Sequence, residues 1–372
     1  MATCIDSAAF TPAEGPRRQG KAKRLLFVIG QLGYGGSEKQ MVLLAGRLKA
    51  DYEVEVLCTS TSLEPFGAAL LQVGVPVHKP DADGRLARLV WLFSRLKVTR
   101  CDVLLLYSLR SELALLIAAL NRAKIVVNER SGLPRSVPYR LASHLLFRKC
   151  SRIVVNSEAT RRSLVSRYPF ACGKVVTVFN GIEPSEGPGV EPPASGACIF
   201  SLVAGFRPWK GHAFLIDAVE ELAKRGLDFS VLLVGDGPTR VEVEGDVARR
   251  GLERFVVFTG WQVDPALYLR RAHVNLNLSS HESLPNAVME GMALGLPSIV
   301  TRVGGNPELV EDGVHGKVVD YGNIRQLADA MAFMIHNREI AMEYGHRARE
   351  RMLTDFSVER MVERTRELID EL

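Results

Sequence analysis

The sequence predicts an α/β chain of two Rossmann-like, doubly wound parallel-sheet domains in tandem. Three observations predict it. Short apolar runs alternate with segments of helical period along most of the chain. Several of these runs open directly into glycine-rich turns. One stretch of prolines and glycines, Glu183 to Gly196, divides the alternation into two series. At 372 residues the chain also exceeds the usual span of a single domain, ~100–150 residues.

The first series follows a tail, residues 1–23, that is expected to be disordered. Strand Arg24 to Ile29 runs into Gly30, Gly33, Gly35 and Gly36 and then into a helical segment, Ser37 to Leu48. Strand Val54 to Cys58, a basic helix Leu86 to Leu96, strand Val103 to Tyr107 and a helix around Ser111 to Leu120 come next. Strand Lys124 to Asn128, a helix around Tyr139 to Lys149 and strand Arg152 to Asn156 complete the series. These make an N-terminal domain over residues 24–183. Residues 184–196 are the linker, since the Glu183 to Gly196 stretch holds four prolines and three glycines.

The second series, residues 197–352, runs strand Cys198 to Ala204, helix His212 to Lys224, strand Ser230 to Val234, helix Arg240 to Arg250 and strand Val256 to Thr259. It continues with strand His273 to Leu278, helix Asn286 to Leu294 and strands Ser298 to Val300 and Gly316 to Val319. Residues 353–372 end the chain in an amphipathic helix, Ser357 to Leu372, with a return to the N-terminal domain as one destination.

Composition excludes several classes. Hydrophobic residues make up 47% and charged residues 24%, as in ordinary globular proteins. The longest apolar run, Leu113 to Leu120, falls short of the ~18 residues a membrane span needs. The six cysteines are scattered without a C-x-x-C pair, so zinc is not expected. The first 24 residues have no apolar stretch of signal-peptide type, which points to a cytoplasmic protein with reduced thiols. Residues 1–183 set 27 Lys and Arg against 14 Asp and Glu, while residues 184–372 set 20 against 28. The resulting +13 and −8 point to an anionic partner for the first half. No concentrated basic and aromatic surface indicates nucleic acid.

In parallel α/β sheets ligands bind beyond the carboxyl ends of the strands, so four loops are candidates. Gly30 to Gly36 allows close backbone approach to a phosphate or sugar, and equally a simple tight turn; it fails the G-x-G-x-x-G pattern because Glu38 holds the third position. Gly205 to Gly211 offers Arg207 and Lys210, a planar fork and a point charge, as a diphosphate clamp. Gly235 to Pro238 is a glycine turn suited to a ligand's edge or to structure alone. The fourth loop carries Glu282 in His281 to Pro285 and Glu290 within the following helix. Paired carboxylates accept hydrogen bonds from vicinal hydroxyls, as a sugar and a ribose offer, and a helix N-terminus favours phosphate.

Residues 24–370 resemble the retaining GT-B glycosyltransferases of the family that includes bacterial mannosyltransferases and sucrose synthases. The likeness rests on the E-x7-E segment from His281 through Gly316, on Val154 to Ser157, Phe179 to Gly181, Lys210-Gly211 and Leu232 to Pro238. It implies two domains facing a cleft and transfer from a UDP- or GDP-sugar with retention of anomeric configuration, without a metal or other cofactor. It further implies Glu282 at the donor sugar, Glu290 at the ribose, Arg207 and Lys210 at the diphosphate, backbone amides of Leu284 and Asn286, and Gly35 with Gly36 approaching the phosphate from the other domain. Two departures stand out. Arg207 precedes Lys210 by only three residues, closer than in many relatives, and Glu129 stands where the N-terminal domain commonly carries a histidine.

Glu129 is therefore the acceptor-side candidate. The acceptor itself is expected to be lipid-linked or a glycan. Arg88, Arg95, Lys97 and Arg100 among Leu89, Trp91, Leu92 and Phe93 give a basic amphipathic helix, so an anionic membrane surface is a further expected partner and peripheral attachment at its inner face an expected location. A nucleotide-sugar epimerase and a sugar-nucleotide-binding relative without catalysis remain open as alternatives.

Overall fold

The computed structural model describes residues 22–107, 123–130, 137–183 and 196–372. The helix expected around Ser111 to Leu120, the linker 184–195 and the tail to residue 21 lie outside them. The chain forms two compact units. One comprises residues 1–181 and 358–372, the other residues 182–357.

The first unit is a seven-stranded parallel sheet in the order β3-β2-β1-β4-β5-β6-β7. Its strands are β1 (Arg24–Ile29), β2 (Glu53–Cys58), β3 (Val77–His78), β4 (Val103–Tyr107), β5 (Lys124–Glu129), β6 (Arg152–Val155) and β7 (Val175–Thr177). Strands buried on both faces read as continuous apolar runs, and β4 (VLLLY) is buried throughout. Successive side chains of β1 feed two cores. Leu25, Phe27 and Ile29 pack with α1 (Gly36–Leu48) and α2 (Phe66–Gln72), while Leu26 and Val28 share a core with α3 (Arg85–Val98), α4 (Val137–Lys149) and α5 (Glu158–Arg167).

The second unit is a six-stranded parallel sheet in the order β10-β9-β8-β11-β12-β13. Its strands are β8 (Cys198–Val203), β9 (Phe229–Val234), β10 (Val256–Gly260), β11 (Val274–Asn277), β12 (Ser298–Thr301) and β13 (Gly316–Val319). Helices α6 (His212–Lys224), α7 (Arg240–Arg249) and α11 (Ile324–His336) cover the face that holds Cys198, Phe200 and Leu202. Leu269 of α8 (Ala266–Leu269) and Leu294, just past α9 (Asn286–Ala293), pack with Ile199 and Val203 on the other face. The direction of winding reverses between β8 and β11, which sets their carboxyl ends side by side at the topological switch point.

Among the described residues, six helices, α8 among them, and two strands go beyond the sequence expectation. β3, β7, α2 and α5 are short, and α11 with α12 (Arg338–Asp355) fill the stretch after Gly316–Val319 that carried no expected element. α12 is highly charged and buries only a narrow stripe, Ala341, Tyr344, Gly345, Ala348 and Met352, so its apolar period is faint. A short α10 (Asn306–Leu309) follows β12. Because α12 runs to Asp355, the last helix, α13 (Val358–Asp370), starts later than residue 353.

α13 belongs to the first unit. It buries Val358, Met361, Val362, Leu368 and Ile369 in the core that holds α1, and Tyr52 donates its hydroxyl to Asp370 at 3.0 Å. The Lys23 ammonium donates to the Ile369 carbonyl at 2.8 Å, and Arg366 pairs with Asp51. Gly181 makes the docking possible. A Cβ there would lie 2.7 Å from Val358 Cα, and the buried Gln40 amide clasps the Gly181 backbone through two 2.9 Å hydrogen bonds. Gly181→Ala is expected to lower stability by about 1–3 kcal/mol through this overlap. Limited proteolysis should then clip the chain near residue 358 before other sites; unchanged resistance would contradict the packing argument.

Candidate active site

The loop after β8 and the loop after β11 meet at the switch point. Leaving β8, the chain makes one 3-10 turn, Pro208–Lys210, and enters α6 through Gly211 at φ +80°. A Cβ on Gly211 would sit 2.0 Å from the Leu278 carbonyl, so only glycine lets the two loops touch. The Ser280 amide then donates to the Trp209 carbonyl at 2.8 Å. This contact fixes the register between Lys210 and Glu282.

The Lys210 ammonium and the Glu282 carboxylate form a close ion pair, with side chains 26% and 12% exposed. Glu282 is held from several directions. Ser279 donates its hydroxyl to the same carboxylate oxygen at 2.8 Å, and Thr301 at the end of β12 donates its own to the Ser279 carbonyl at 2.6 Å. Gly304, at φ +51°, presses its backbone against the Glu282 carbonyl; a Cβ there would lie 1.7 Å from that oxygen. Asn306 ties the β12 end to β11 by donating to Asn277 at 3.2 Å and to the Thr301 carbonyl at 3.0 Å.

The other expected residues fall as follows. Arg207 is exposed, lies over the Trp209 ring at 5.7 Å, and makes no ion pair with Glu282. The His281 ring stacks on the same Trp209, also at 5.7 Å. Leu284 is buried just before the Pro285 cap of α9, Asn286 opens that helix, and Glu290 sits half-buried in its second turn. Gly235 has a packing duty. A Cβ there would come within 2.2 Å of the Ala204 carbonyl, and Gly237 plays the same part against Phe206 at 2.4 Å. These glycines let the loop after β9 brace the loop that carries Lys210.

In the first unit, Gly35 caps α1 and Gly36 begins it. The space that a Cβ on Gly35 would take is filled by the Glu38 carboxylate, which accepts from Gln31 at 3.4 Å. Glu129 ends β5, half-buried. Beside it, Arg130 donates to Asn180 at 2.7 Å and lies over Tyr107, whose phenol is pushed up by burial. Among the described residues no cluster of His, Cys, Asp and Glu is arranged to hold a metal ion, and the five described cysteines are free thiols.

Sequence reasoning passed over Ser279, Thr301, Gly304, Glu38 and Arg130. Their types are ordinary; only the fold brings Ser279, Thr301 and Gly304 together at the carboxyl ends of the adjacent strands β11 and β12. It also passed over His212, the first residue of α6, which is buried, stacks on Phe206 at 4.0 Å and has neither ring nitrogen hydrogen-bonded. Burial, assisted by the nearby Lys210 charge, holds its pKa down at about 4.

An unfolded histidine takes up its proton near pH 6.5, whereas His212 in the folded protein resists until about pH 4. The stabilising contribution is therefore complete above pH 6.5 and is lost as pH falls toward 4, with a total of about 3 kcal/mol. Urea midpoints of His212→Phe should fall less between pH 7 and pH 4.5 than those of the unaltered protein. Parallel curves would contradict this.

Residues 197–337 match the family model described as glycosyl transferases group 1, and residues 34–186 match that of glycosyltransferase family 4. Both halves of the chain therefore match glycosyltransferase families, the second half the group 1 family. A stretch of 160 residues is 35% identical to N-acetyl-alpha-D-glucosaminyl L-malate synthase of Bacillus anthracis, covering 43% of this chain and 42% of that one. Another of 170 residues is 30% identical to the lipopolysaccharide core biosynthesis glycosyltransferase LpsE of Rhizobium meliloti, covering 46% and 48%. The chain thus spans about half the length of these curated relatives. Among solved structures, Anabaena HepE in complex with UDP-glucose superimposes with a TM-score of 0.81 at 21% identity, over 94% of this chain and all of that one. The fold is GT-B.

Proposed function

We propose that the protein transfers a sugar from a nucleotide-sugar donor to an acceptor, with retention of anomeric configuration. The observation that carries the reading is the Lys210 and Glu282 pair at the switch point of the second unit. A cation for a diphosphate and a carboxylate for sugar hydroxyls there stand side by side, where parallel sheets of this type bind ligands. Lys210, with Arg207, neutralises charge that develops on the departing diphosphate, a preorganised stabilisation that commonly dominates catalysis. Glu282 orients the sugar, Glu290 accepts from the ribose, and the backbone at Leu284 and Asn286 meets the phosphates at the α9 N-terminus. The two protein cations take the role that a metal fills in other transferases. The relatives' names, including lipopolysaccharide core biosynthesis and a UDP-glucose complex, support a nucleotide-sugar donor and a glycan or lipid-linked acceptor.

Glu129 beside Arg130 is the acceptor-side candidate in the first unit. The same unit exposes apolar side chains on basic helices. Leu86, Val90 and Phe93 lie on α3 with Lys97 and Arg100 nearby, and Leu141 and Leu145 lie on α4 with Arg148 and Lys149. This composition suits an anionic membrane carrying a lipid-linked acceptor. Among the described residues no helix is long and apolar enough to cross a membrane.

The deciding experiment is a thermal-shift screen of UDP- and GDP-sugars, followed by NMR of the anomeric signal of the product formed from the sugar that binds. A sugar nucleotide raises the melting temperature by binding the native state. Failure of every sugar nucleotide to do so, or an inverted product, overturns the proposal in the part concerned. Sedimentation with phosphatidylglycerol vesicles at low salt tests the membrane surface, and equal binding to neutral vesicles argues against it.

A further inference from the structure

Lys210 and Glu282 hold one another, yet the proposed function asks each to hold a different part of the donor. An ammonium has three donors, but keeping Glu282 while taking a diphosphate would bring a carboxylate and a polyanion together on one small cation. We infer that the pair is exchanged on binding, so that the site tells a nucleotide still carrying its sugar from one that has lost it. The inference rests on the donor-site reading above.

The exchange works because Glu282 cannot retreat. When the ammonium turns to the diphosphate, the Ser279 hydroxyl still holds the same carboxylate oxygen at 2.8 Å, and Ser279 is itself held by Thr301. The Gly304 backbone closes on the Glu282 carbonyl. The carboxylate therefore stays at the site, largely shielded from water, with one strong partner fewer. Sugar hydroxyls replace that partner. A nucleoside diphosphate alone does not, and leaves the carboxylate without a replacement for the ammonium it gave up. The same imbalance speeds product release. Once the sugar has gone to the acceptor, Glu282 reclaims Lys210 and the nucleoside diphosphate loses its cation.

The test is a double-mutant cycle read by calorimetric Kd for UDP, GDP, UDP-glucose and GDP-mannose. Glu282→Gln keeps the shape and removes the charge. It should tighten the nucleoside diphosphate that the protein prefers about 10-fold, equivalent to about 1.4 kcal/mol, and tighten the matching sugar nucleotide much less. In a Lys210→Met background the same change should alter nucleoside diphosphate binding less than about twofold, because no cation remains to be released. An equal gain in both backgrounds would mean simple repulsion between carboxylate and phosphate and would overturn the exchange, as would no gain in either. If none of the four nucleotides binds the unaltered protein, the donor-site reading fails and the exchange falls with it.

A second measurement needs no Glu282 variant. The Lys210 ammonium resonance, assigned by its loss in Lys210→Met, should move when nucleoside diphosphate is added. A bound nucleotide with an unmoved resonance overturns the inference.

Discussion

Glu282→Ala is expected to abolish detectable sugar transfer, with kcat lowered at least about 10²–10³-fold, the scale seen when one preorganised polar contact to a transition state is removed. In its proposed role the carboxylate orients the sugar and does not hold the nucleotide, so the effect should fall on kcat. Nucleotide binding should survive, since Lys210 loses its internal competitor. The fold should survive as well: the side chain lies in a loop at the end of β11 rather than in a core, and the neighbouring Ser279 retains its bond from Thr301. Measured together, transfer rate, nucleotide Kd and melting temperature separate the outcomes. Full activity in Glu282→Ala removes Glu282 from the reaction, and a collapse in melting temperature makes its role structural.

Gly304→Ala is expected to be almost as damaging without touching a charged group. At φ +51° an added Cβ carries strain of about 1–2 kcal/mol. At 1.7 Å from the Glu282 carbonyl oxygen it also has to displace the backbone that carries the carboxylate. A shift of about 1 Å in a positioning group costs on the order of 10²-fold in rate. Gly251→Ala supplies the control, since Gly251 shares a left-handed φ of +66° but has open space around it. That substitution should cost stability alone. Equal activity losses at 251 and 304 would assign both to general destabilisation.

The sheets were readable because parallel strands are buried on both faces and so leave unbroken apolar runs such as Leu104 to Leu106 or Val231 to Val234. Helices with a broad apolar face, such as α6, were readable too. α12 was not, because five buried residues among eighteen, flanked by charges, leave little period to detect. At the site, Glu282 and Lys210 stood out individually by residue type and by the loops they occupy. Their pairing did not: 72 positions separate them, and only the reversal of winding between β8 and β11 brings them together. Gly35 is a further case: the glycine loop after β1 was legible, but the carboxylate of Glu38 lying where a Cβ on Gly35 would go was not.

The return of α13 to the first unit has a consequence for the order in which the protein is made. Val358, Met361, Val362, Leu368 and Ile369 are part of the core that also holds Leu25, Phe27 and Ile29. The strands that begin this core are translated before the second unit, but its last wall leaves the ribosome only after the whole of that unit. The second unit, continuous from 182 to 357, has all of its chain available earlier. Domains generally fold as units during synthesis. Of the two units, the one that starts first is therefore the one completed second, and a chain cut before Val358 would leave the apolar core around Leu25, Phe27 and Ile29 open on the side that α13 covers.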